Sequence, residues 1–266
     1  MIRETDFLLR YLAVAPMALA VERSLECNLL SSQPFQRPVL DLGCGDGIFA
    51  SILFDQPLDV GLDPNARELE VARTRDAYEE LLAGFGDQIP KPDASVNTIL
   101  SNSVLEHIPD LDPVLGEAFR VLKSGGRMYA TVPSDRFSTY TFTWQCLASL
   151  GLTGLARRYE KHFDRFWQHY HCYDEQGWTK RFEAAGFEVE RCVAYASRRI
   201  CMLDSVGCFL AVPAWFTKKL LNRWILMPSL RRSIARGLHG LLRRHIRCEE
   251  PADEAGGLVL LVARKP

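Results

Sequence analysis

The stretch Val39-Leu40-Asp41-Leu42-Gly43-Cys44-Gly45-Asp46-Gly47, followed directly by Ile48, Phe49, Ala50, Ile52 and Leu53, constrains this chain more than any other. It reads as a buried strand, a glycine-dense turn and a helix, the arrangement by which an α/β domain offers a backbone-lined crevice to a small ligand. Each glycine lets the main chain approach that ligand and permits positive φ. A dinucleotide fingerprint needs G-x-G-x-x-G, whose third glycine closes helix against strand beneath a pyrophosphate. Here the register is Gly43-x-Gly45-x-Gly47, and Ile48 stands where that third glycine belongs. Asp41, two residues before the first glycine, would repel a pyrophosphate and suits a cationic ligand. A nicotinamide oxidoreductase is disfavoured on both counts.

The neighbouring segments extend the α/β pattern. Leu58 to Asp63 is a second strand, and it ends in a carboxylate about 20 residues after Gly43, where doubly wound folds hold ribose hydroxyls. Asp63 could instead cap a helix opening at Pro64. Residues 79–93 should carry a third strand and a covering loop, and Ser95 to Asn102 a fourth strand that delivers Asn102 and Ser103 to the crevice mouth. A helix is expected from Leu105 to Leu122, then a fifth strand from Arg127 to Val132. Asp174 should cap a helix from Glu175 to Ala185, with the last two strands at Phe187–Ala196 and Gly257–Lys265.

Four motifs in this order give the chain its resemblance to a known family. They are Asp41 to Gly47, Val60-Gly61-Leu62-Asp63, Ser101-Asn102-Ser103-Val104-Leu105-Glu106-His107-Ile108, and Arg120-Val121-Leu122-Lys123-Ser124-Gly125-Gly126-Arg127. Together they resemble the class I S-adenosylmethionine-dependent methyltransferases, in the branch called type 11, over about residues 37 to 133. The resemblance implies a Rossmann-like seven-stranded sheet, parallel with an antiparallel edge pair and flanked by helices. It implies S-adenosylmethionine as cofactor, held by Asp41, Gly43, Cys44, Gly45, Gly47, Asp63, Pro64, Phe85, Gly86, Asp87, Asn102 and Ser103. At Phe85 relatives usually carry an aspartate for the adenine amino group, so either Phe85 stacks on the ring or Asp87 accepts from it. Asn102-Ser103-Val104 lacks the Asn- or Asp-Pro-Pro-aromatic ending of enzymes that methylate nucleobase or amide nitrogens.

Two insertions depart from the core, at 133–173 and 197–256, and residues 1–36 form an N-terminal helical segment before a methyltransferase domain at 37–266. The apolar run from Phe7 to Ala20 reads as helices packed over the crevice rather than as a signal peptide, because Glu4 and Asp6 sit where a basic region belongs and Arg10 interrupts it. Cytoplasmic placement follows, because the cofactor pool is cytosolic. The eight cysteines include no C-x-x-C pair, which argues against a zinc site or a redox motif, so no metal is expected.

Methyl transfer from a sulfonium is an in-line displacement, and a general base is needed only where the acceptor keeps its proton. His107, His169 and His171 are the catalytic candidates, with the phenols of Tyr140, Tyr170 and Tyr173 beside them. The run His169-Tyr170-His171-Cys172-Tyr173 is similar to one in relatives and could equally be a scaffold contact. Phe137, Tyr140, Phe142, Trp144, Phe163, Phe166 and Trp167 form either an apolar lid over the acceptor or the core of the first insertion.

Net charge is −1, yet Lys218 to Arg247 holds nine Lys or Arg and no acid. Before it, Ile200 to Phe216 is mostly apolar, broken by Asp204 and Pro213 and short of a membrane span. A basic amphipathic stretch fits a helix at an anionic bilayer surface, a helical lid or a dimer face. No recognition module for nucleic acid accompanies it. The sequence therefore reads as a methyltransferase acting on a small-molecule or lipid-linked acceptor, with oxygen favoured, and with peripheral contact to the inner face of a membrane through residues 200–247. The alternatives are a catalytically silent adenosylmethionine-binding subunit, or methylation at carbon or nitrogen of a natural product.

Overall fold

Strand β1 (Val39–Leu42) is buried along its whole length, because it lies inside the sheet with helices on both faces. In the computed structural model, which describes residues 1–222, 224, 225, 227–244, 246 and 255–266, β1 pairs in parallel with β2 (Leu58–Asp63) and β4 (Val96–Asn102). Asp41 stands opposite Gly61 on one side and Leu100 on the other. Strands β3 (Tyr78–Ala83), β5 (Leu122–Pro133), β6 (Glu188–Tyr195) and β7 (Leu258–Arg264) complete a seven-stranded sheet of order β3-β2-β1-β4-β5-β7-β6. Only β7 runs antiparallel to both its neighbours. The expected sheet is therefore present, with its switch point between β1 and β4, where the chain reverses direction across the sheet and a crevice opens beyond the strand ends.

Side chains alternate along each strand, so the sheet feeds two cores. Leu258, Leu260 and Val262 pack on one face with Tyr11, Leu12, Leu25, Phe49 and Tyr129. Val259, Leu261 and Ala263 pack on the other with Ile99, Leu115, Met128, Trp178 and Phe182. The first face is covered by α1 (Phe7–Val14), α2 (Met17–Ser31) and α3 (Ile48–Leu53). Asp6 starts α1 by accepting a hydrogen bond from Leu9 N at 2.9 Å, the usual service of a short acid at that position. Helix α4 (Ala66–Arg73) precedes β3; on the second face, α5 (Leu111–Val121) buries Val114, Leu115, Ala118 and Val121, and α8 (Glu175–Ala184) buries Trp178, whose Nε1 donates to Pro133 O at 3.1 Å.

The helix expected from Leu105 to Leu122 is two pieces. Leu105–His107 is a 3-10 turn, and α5 starts only at Leu111. Pro109 is the reason: the residue before a proline is driven out of the helical region, and Ile108 is extended, with ψ 113°. The first insertion folds into a 3-10 turn at Ser138–Tyr140 followed by α6 (Phe142–Ser149) and α7 (Thr153–Trp167).

In the second insertion, α9 (Arg198–Leu221) runs unbroken past Asp204 and Pro213, which interrupt the apolar run but not the helix. Tight seating on α2 explains the continuity. A Cβ on Gly207 would lie 3.0 Å from Met17 Cε and 3.1 Å from Ala18 N, so the two helices meet where only hydrogen separates them. Helix α10 (Pro228–Leu242) lies along α1, and the Arg231 guanidinium caps that helix by donating to Leu12 O at 2.8 Å and Ala15 O at 2.7 Å. Among the described residues no helix is long and apolar enough to cross a membrane.

Candidate active site

All three glycines of the turn after β1 have positive φ: +79° at Gly43, +52° at Gly45 and +71° at Gly47. Their surroundings differ. A Cβ on Gly43 would fall 2.4 Å from the Val104 side chain, and one on Gly47 would meet the Tyr78 ring at 3.1 Å. These two glycines serve packing. Gly45 has nothing within 4 Å of where its Cβ would point, so its bare backbone faces open space at the strand ends, a cradle that a side chain would fill.

Asp63 ties that turn to the next helix. Its Oδ2 accepts from Gly45 N at 2.9 Å and its Oδ1 from Asn65 N at 2.8 Å. Asn65, not Asp63, caps α4, accepting from Arg67 N at 3.1 Å. Each carboxylate oxygen of Asp63 keeps a further lone pair, enough for a vicinal diol. Pro64 lies between the two, and Cys44 is buried in the turn with its N–H bonded to Leu62 O at 3.0 Å. Asp41 is buried beneath, accepting from the Tyr78 hydroxyl at 2.6 Å. Burial pushes its carboxyl up to about 7, against the opposing effect of that bond. Such a group ionises fully only when a positive charge arrives beside it.

Beyond β3, Phe85 is 69% exposed and Asp87 follows it. Gly86 packs its backbone on Val114 and Leu42, which a Cβ would meet at 3.0 and 3.1 Å. Asn102 donates from Nδ2 to Thr131 Oγ1 at 2.6 Å. Ser103, with φ +49°, turns its hydroxyl away from the sheet toward α2.

That direction leads to a polar cluster the sequence reading did not foresee. Glu26, with its side chain fully enclosed, receives Arg23 NH1 on both oxygens at 2.8 and 2.7 Å, the Ser103 hydroxyl at 3.1 Å and the Tyr195 hydroxyl at 3.2 Å. Glu22 lies 3.4 Å from the same guanidinium. Burial pulls the Arg23 guanidinium down, but Glu26 and Glu22 more than restore it, so it stays charged. Burial raises Glu22, only partly offset by Arg23, and raises Asp204 of α9 further, with Glu22 adding to the effect. Glu106 is pushed by burial up to about 8. Asp204 Oδ1, Glu106 Oε2 and Tyr11 Oη are buried without a hydrogen-bond partner. Unpaired polar atoms of this kind are costly unless a ligand or water completes them. The available sign in the sequence was Glu22, Arg23 and Glu26, three charges inside an otherwise apolar helix, two of them at i and i+4 on one face.

The histidines separate. Both ring nitrogens of His171 are engaged, Nδ1 with the Tyr173 hydroxyl and Nε2 with Ile108 O, each at 2.9 Å. Nε2 carries the proton, and neither nitrogen is free for an acceptor. His171 was expected among the catalytic candidates, and in this structure its ring joins the Ile108 turn to Tyr173. His107 is partly exposed, with Nδ1 3.4 Å from Gln168 O, and burial with nearby His169 lowers its pKa. Its ring centroid lies 5.3 Å from that of His169. His169 is enclosed, and its Nδ1 has no hydrogen-bond partner. Two phenols are also committed elsewhere: Tyr140 donates to Ala255 O at 3.0 Å, and Tyr173 bonds His171. The aromatic group divides as well. Phe137 and Phe163 pack around His169, each ring 6.0 Å from it, while Phe166 and Trp167 face outward.

A seven-stranded sheet with one reversed strand, bearing a buried acid and three glycines at the end of its first strand, defines a class I S-adenosylmethionine-dependent methyltransferase. The chain belongs to the methyltransferase-domain family, whose model matches residues 11–191. The chain is 33% identical over 133 residues to the malonyl-[acyl-carrier protein] O-methyltransferase of Serratia marcescens, covering 48% of this chain and 52% of that one. It is 29% identical over 117 residues to the ubiquinone biosynthesis O-methyltransferase of Vibrio atlanticus, covering 41% and 48%. The chain thus spans about half the length of these curated relatives. Among solved structures it resembles a SAM-dependent methyltransferase from Thermotoga maritima, with TM-score 0.57, 19% identity and coverage of 97% and 91%. The geranyl diphosphate C-methyltransferase of Streptomyces coelicolor A3(2) superposes with TM-score 0.53 at 13% identity, covering 94% and 82%. These likenesses concern the fold.

The chain is therefore a methyltransferase domain of the S-adenosylmethionine-dependent class, and its site fits that cofactor. The open cradle at Gly45 admits its backbone-facing part, Asp41 answers a positive charge, and Asp63 retains acceptors for a sugar diol. When bound, the sulfonium supplies an activated methyl group, so the residues around it contribute placement, exclusion of water and the handling of a proton.

Proposed function

We propose that the methyl acceptor is a hydroxyl oxygen on a small or lipid-linked molecule that enters over the cluster of Glu22, Arg23, Glu26, Ser103 and Tyr195. The observation that carries this reading is the Glu22 carboxylate of α2, 3.4 Å from the Arg23 guanidinium that also donates to the Ser103 hydroxyl at the mouth of β4. A hydroxyl holds its proton at neutral pH, and a carboxylate whose pKa is raised by burial is a better acceptor for it than a solvated one. Arg23 and Ser103 hold the cluster in register, and Glu22 takes the proton as oxygen becomes alkylated. The printed names of both curated relatives specify methylation at oxygen, which supports the choice of atom.

Two features support a greasy acceptor met at a bilayer. A cavity of about 300 Å³ between α6, α9 and α10 is lined by Phe142, Ile200, Met202, Leu203, Val206 and Leu242, with Arg199 at its edge. Outside it, Val212, Trp215 and Phe216 of α9 and Leu230, Ile234 and Leu241 of α10 are exposed in stripes at helical spacing. Lys219, Arg232, Arg236, Arg243 and Arg244 stand among them. Apolar stripes flanked by cations match the surface of an anionic membrane.

The test is methyl transfer from isotopically labelled S-adenosylmethionine to a lipid extract and to a water-soluble extract, with the product bond located by tandem mass spectrometry. A labelled O-methyl product in the lipid fraction is expected. A methyl on carbon or nitrogen overturns the oxygen assignment, and cofactor binding without any transfer makes the protein a silent binding subunit.

A further inference from the structure

We propose that Asp164, His169 and Cys172 form a binding site for one divalent cation of the zinc type, with one coordination position left open. The three residues bracket the end of α7. That helix stops at Trp167, and Gln168, with φ +56°, turns the chain back on itself. His169 N then bonds Asp164 O at 2.8 Å, which swings the imidazole over the helical turn that carries Asp164. The segment that follows is pinned: Tyr170 N bonds Glu106 O at 2.8 Å, the His171 ring bonds Ile108 O and Tyr173, and Asp174 accepts from Gly177 N at 2.8 Å to open α8. Backbone bonds, not bonds among themselves, hold the three donor atoms together, as preorganised ligand sets require.

One oxygen of Asp164, one nitrogen of His169 and the sulfur of Cys172 all lie within 4.8 Å of one another. Asp164 Oδ1 and His169 Nδ1 are 3.8 Å apart, too far for a hydrogen bond. Yet both atoms are buried without any other partner, and the imidazole is only 8% exposed. Two enclosed acceptor-capable atoms facing each other across that gap are completed by a cation between them. Tetrahedral zinc, with nitrogen and oxygen ligands at about 2.0–2.2 Å and sulfur at about 2.3 Å, spaces its ligands about 3.3–3.8 Å apart. The site needs only slight contraction.

The donor set selects the ion. Magnesium and calcium take oxygen ligands and would leave the thiol idle, whereas one carboxylate, one imidazole and one thiolate suit zinc. Two anionic ligands also balance a double positive charge. Three protein ligands leave a fourth position for water or an acceptor heteroatom, the pattern of reactive rather than structural zinc. The rings of Phe137 and Phe163, each 6.0 Å from that of His169, wall it on the apolar side. Zinc signatures are built on paired cysteines, whereas here a single cysteine, Cys172, is joined by Asp164 and His169, so spacing alone does not reveal the set.

The purified full chain, stripped with chelator and desalted, is titrated with Co²⁺ and then Zn²⁺. One cobalt per chain is expected, with tetrahedral visible bands, a near-ultraviolet thiolate-to-cobalt band, and displacement of both by zinc. Cys172→Ser should abolish the near-ultraviolet band. His169→Ala and the near-isosteric Asp164→Asn should each weaken binding at least about tenfold, with circular dichroism confirming the fold. No saturable binding, a thiolate band that survives in Cys172→Ser, or affinity unchanged in Asp164→Asn and His169→Ala would each overturn the site.

Discussion

Lys218, near the end of α9, places its Nζ 3.0 Å from Asp46 Oδ2 in the glycine turn, across 172 positions of sequence. The same ammonium reaches Glu68 at 2.7 Å at the start of α4, and Asn222 Nδ2 donates to Arg67 O at 3.0 Å. The basic insertion is thereby fastened to the cofactor-binding end of the sheet. Lys218→Met leaves buried Asp46 with only the more distant Arg75, 3.5 Å away, and half-buried Glu68 without this ammonium, at a cost of about 2 kcal/mol. The melting temperature should fall by roughly 4–8 °C, measured by calorimetry, and an unchanged value would mean that the contact is idle.

Gly45 and Gly43 distinguish cradle from scaffold. Gly45→Ala meets no protein atom and should cost only about 1 kcal/mol for its left-handed backbone, yet it should weaken S-adenosylmethionine binding more than about tenfold, because the methyl group enters the ligand's space. Gly43→Ala collides with Val104 and should lose stability as well, by several kcal/mol or so. Isothermal titration and thermal unfolding of both variants separate the two effects.

Cofactor affinity should depend on pH through Asp41. The carboxyl is raised to about 7 in the free protein, and a cationic ligand binds the ionised form, so protons compete as pH falls below that value. From pH 7.5 to 5.5 affinity should drop by up to about tenfold per unit below the pKa, while Asp41→Asn should bind weakly with a flat profile. The sign for stability is the reverse: a carboxyl whose folded pKa exceeds its unfolded value favours folding in its protonated form, and that contribution is lost as pH rises through about 7. Thermal melts of the cofactor-free protein should therefore decline from pH 5.5 to 7.5.

Glu22→Gln keeps shape and removes the proton acceptor. Turnover should fall by about 10²–10⁴-fold with little change in cofactor affinity, read by single-turnover transfer once an acceptor is in hand. Full activity in this variant would dismiss Glu22 from the proton's path.

Flotation with anionic vesicles tests the outer face of α9 and α10. Recovery with the lipid should decline steeply with added salt, and Trp215→Ser with Leu241→Ser should lower partitioning by at least about tenfold. Recovery only in the soluble fraction, at low salt, would retire the membrane contact.

The sheet was legible in the sequence because parallel strands buried on both faces read as short apolar runs, as at Leu58–Asp63 and Ser95–Asn102, punctuated by glycine. The cofactor turn was legible for the same local reason: its chemistry lies in consecutive residues. What escaped depends on distance. Glu26 meets Ser103 and Tyr195 across 77 and 169 positions, and no local pattern brings three such segments together. The seating of α9 on α2 escaped because the close approach at Gly207 is a tertiary contact with no local signature. The partners of His171, Tyr173 and Ile108, were not legible either, because which groups a ring nitrogen finds is a matter of packing.

Helix α9 is one stiff rod with three attachments: Asp204 near its beginning among the acids, Leu203 and Val206 on the cavity wall, and Lys218 near its far end against Asp46. A slide of one residue, about 1.5 Å, would unseat all three together. Whatever engages the outer stripe of this rod therefore bears on the cavity wall and on the glycine turn together.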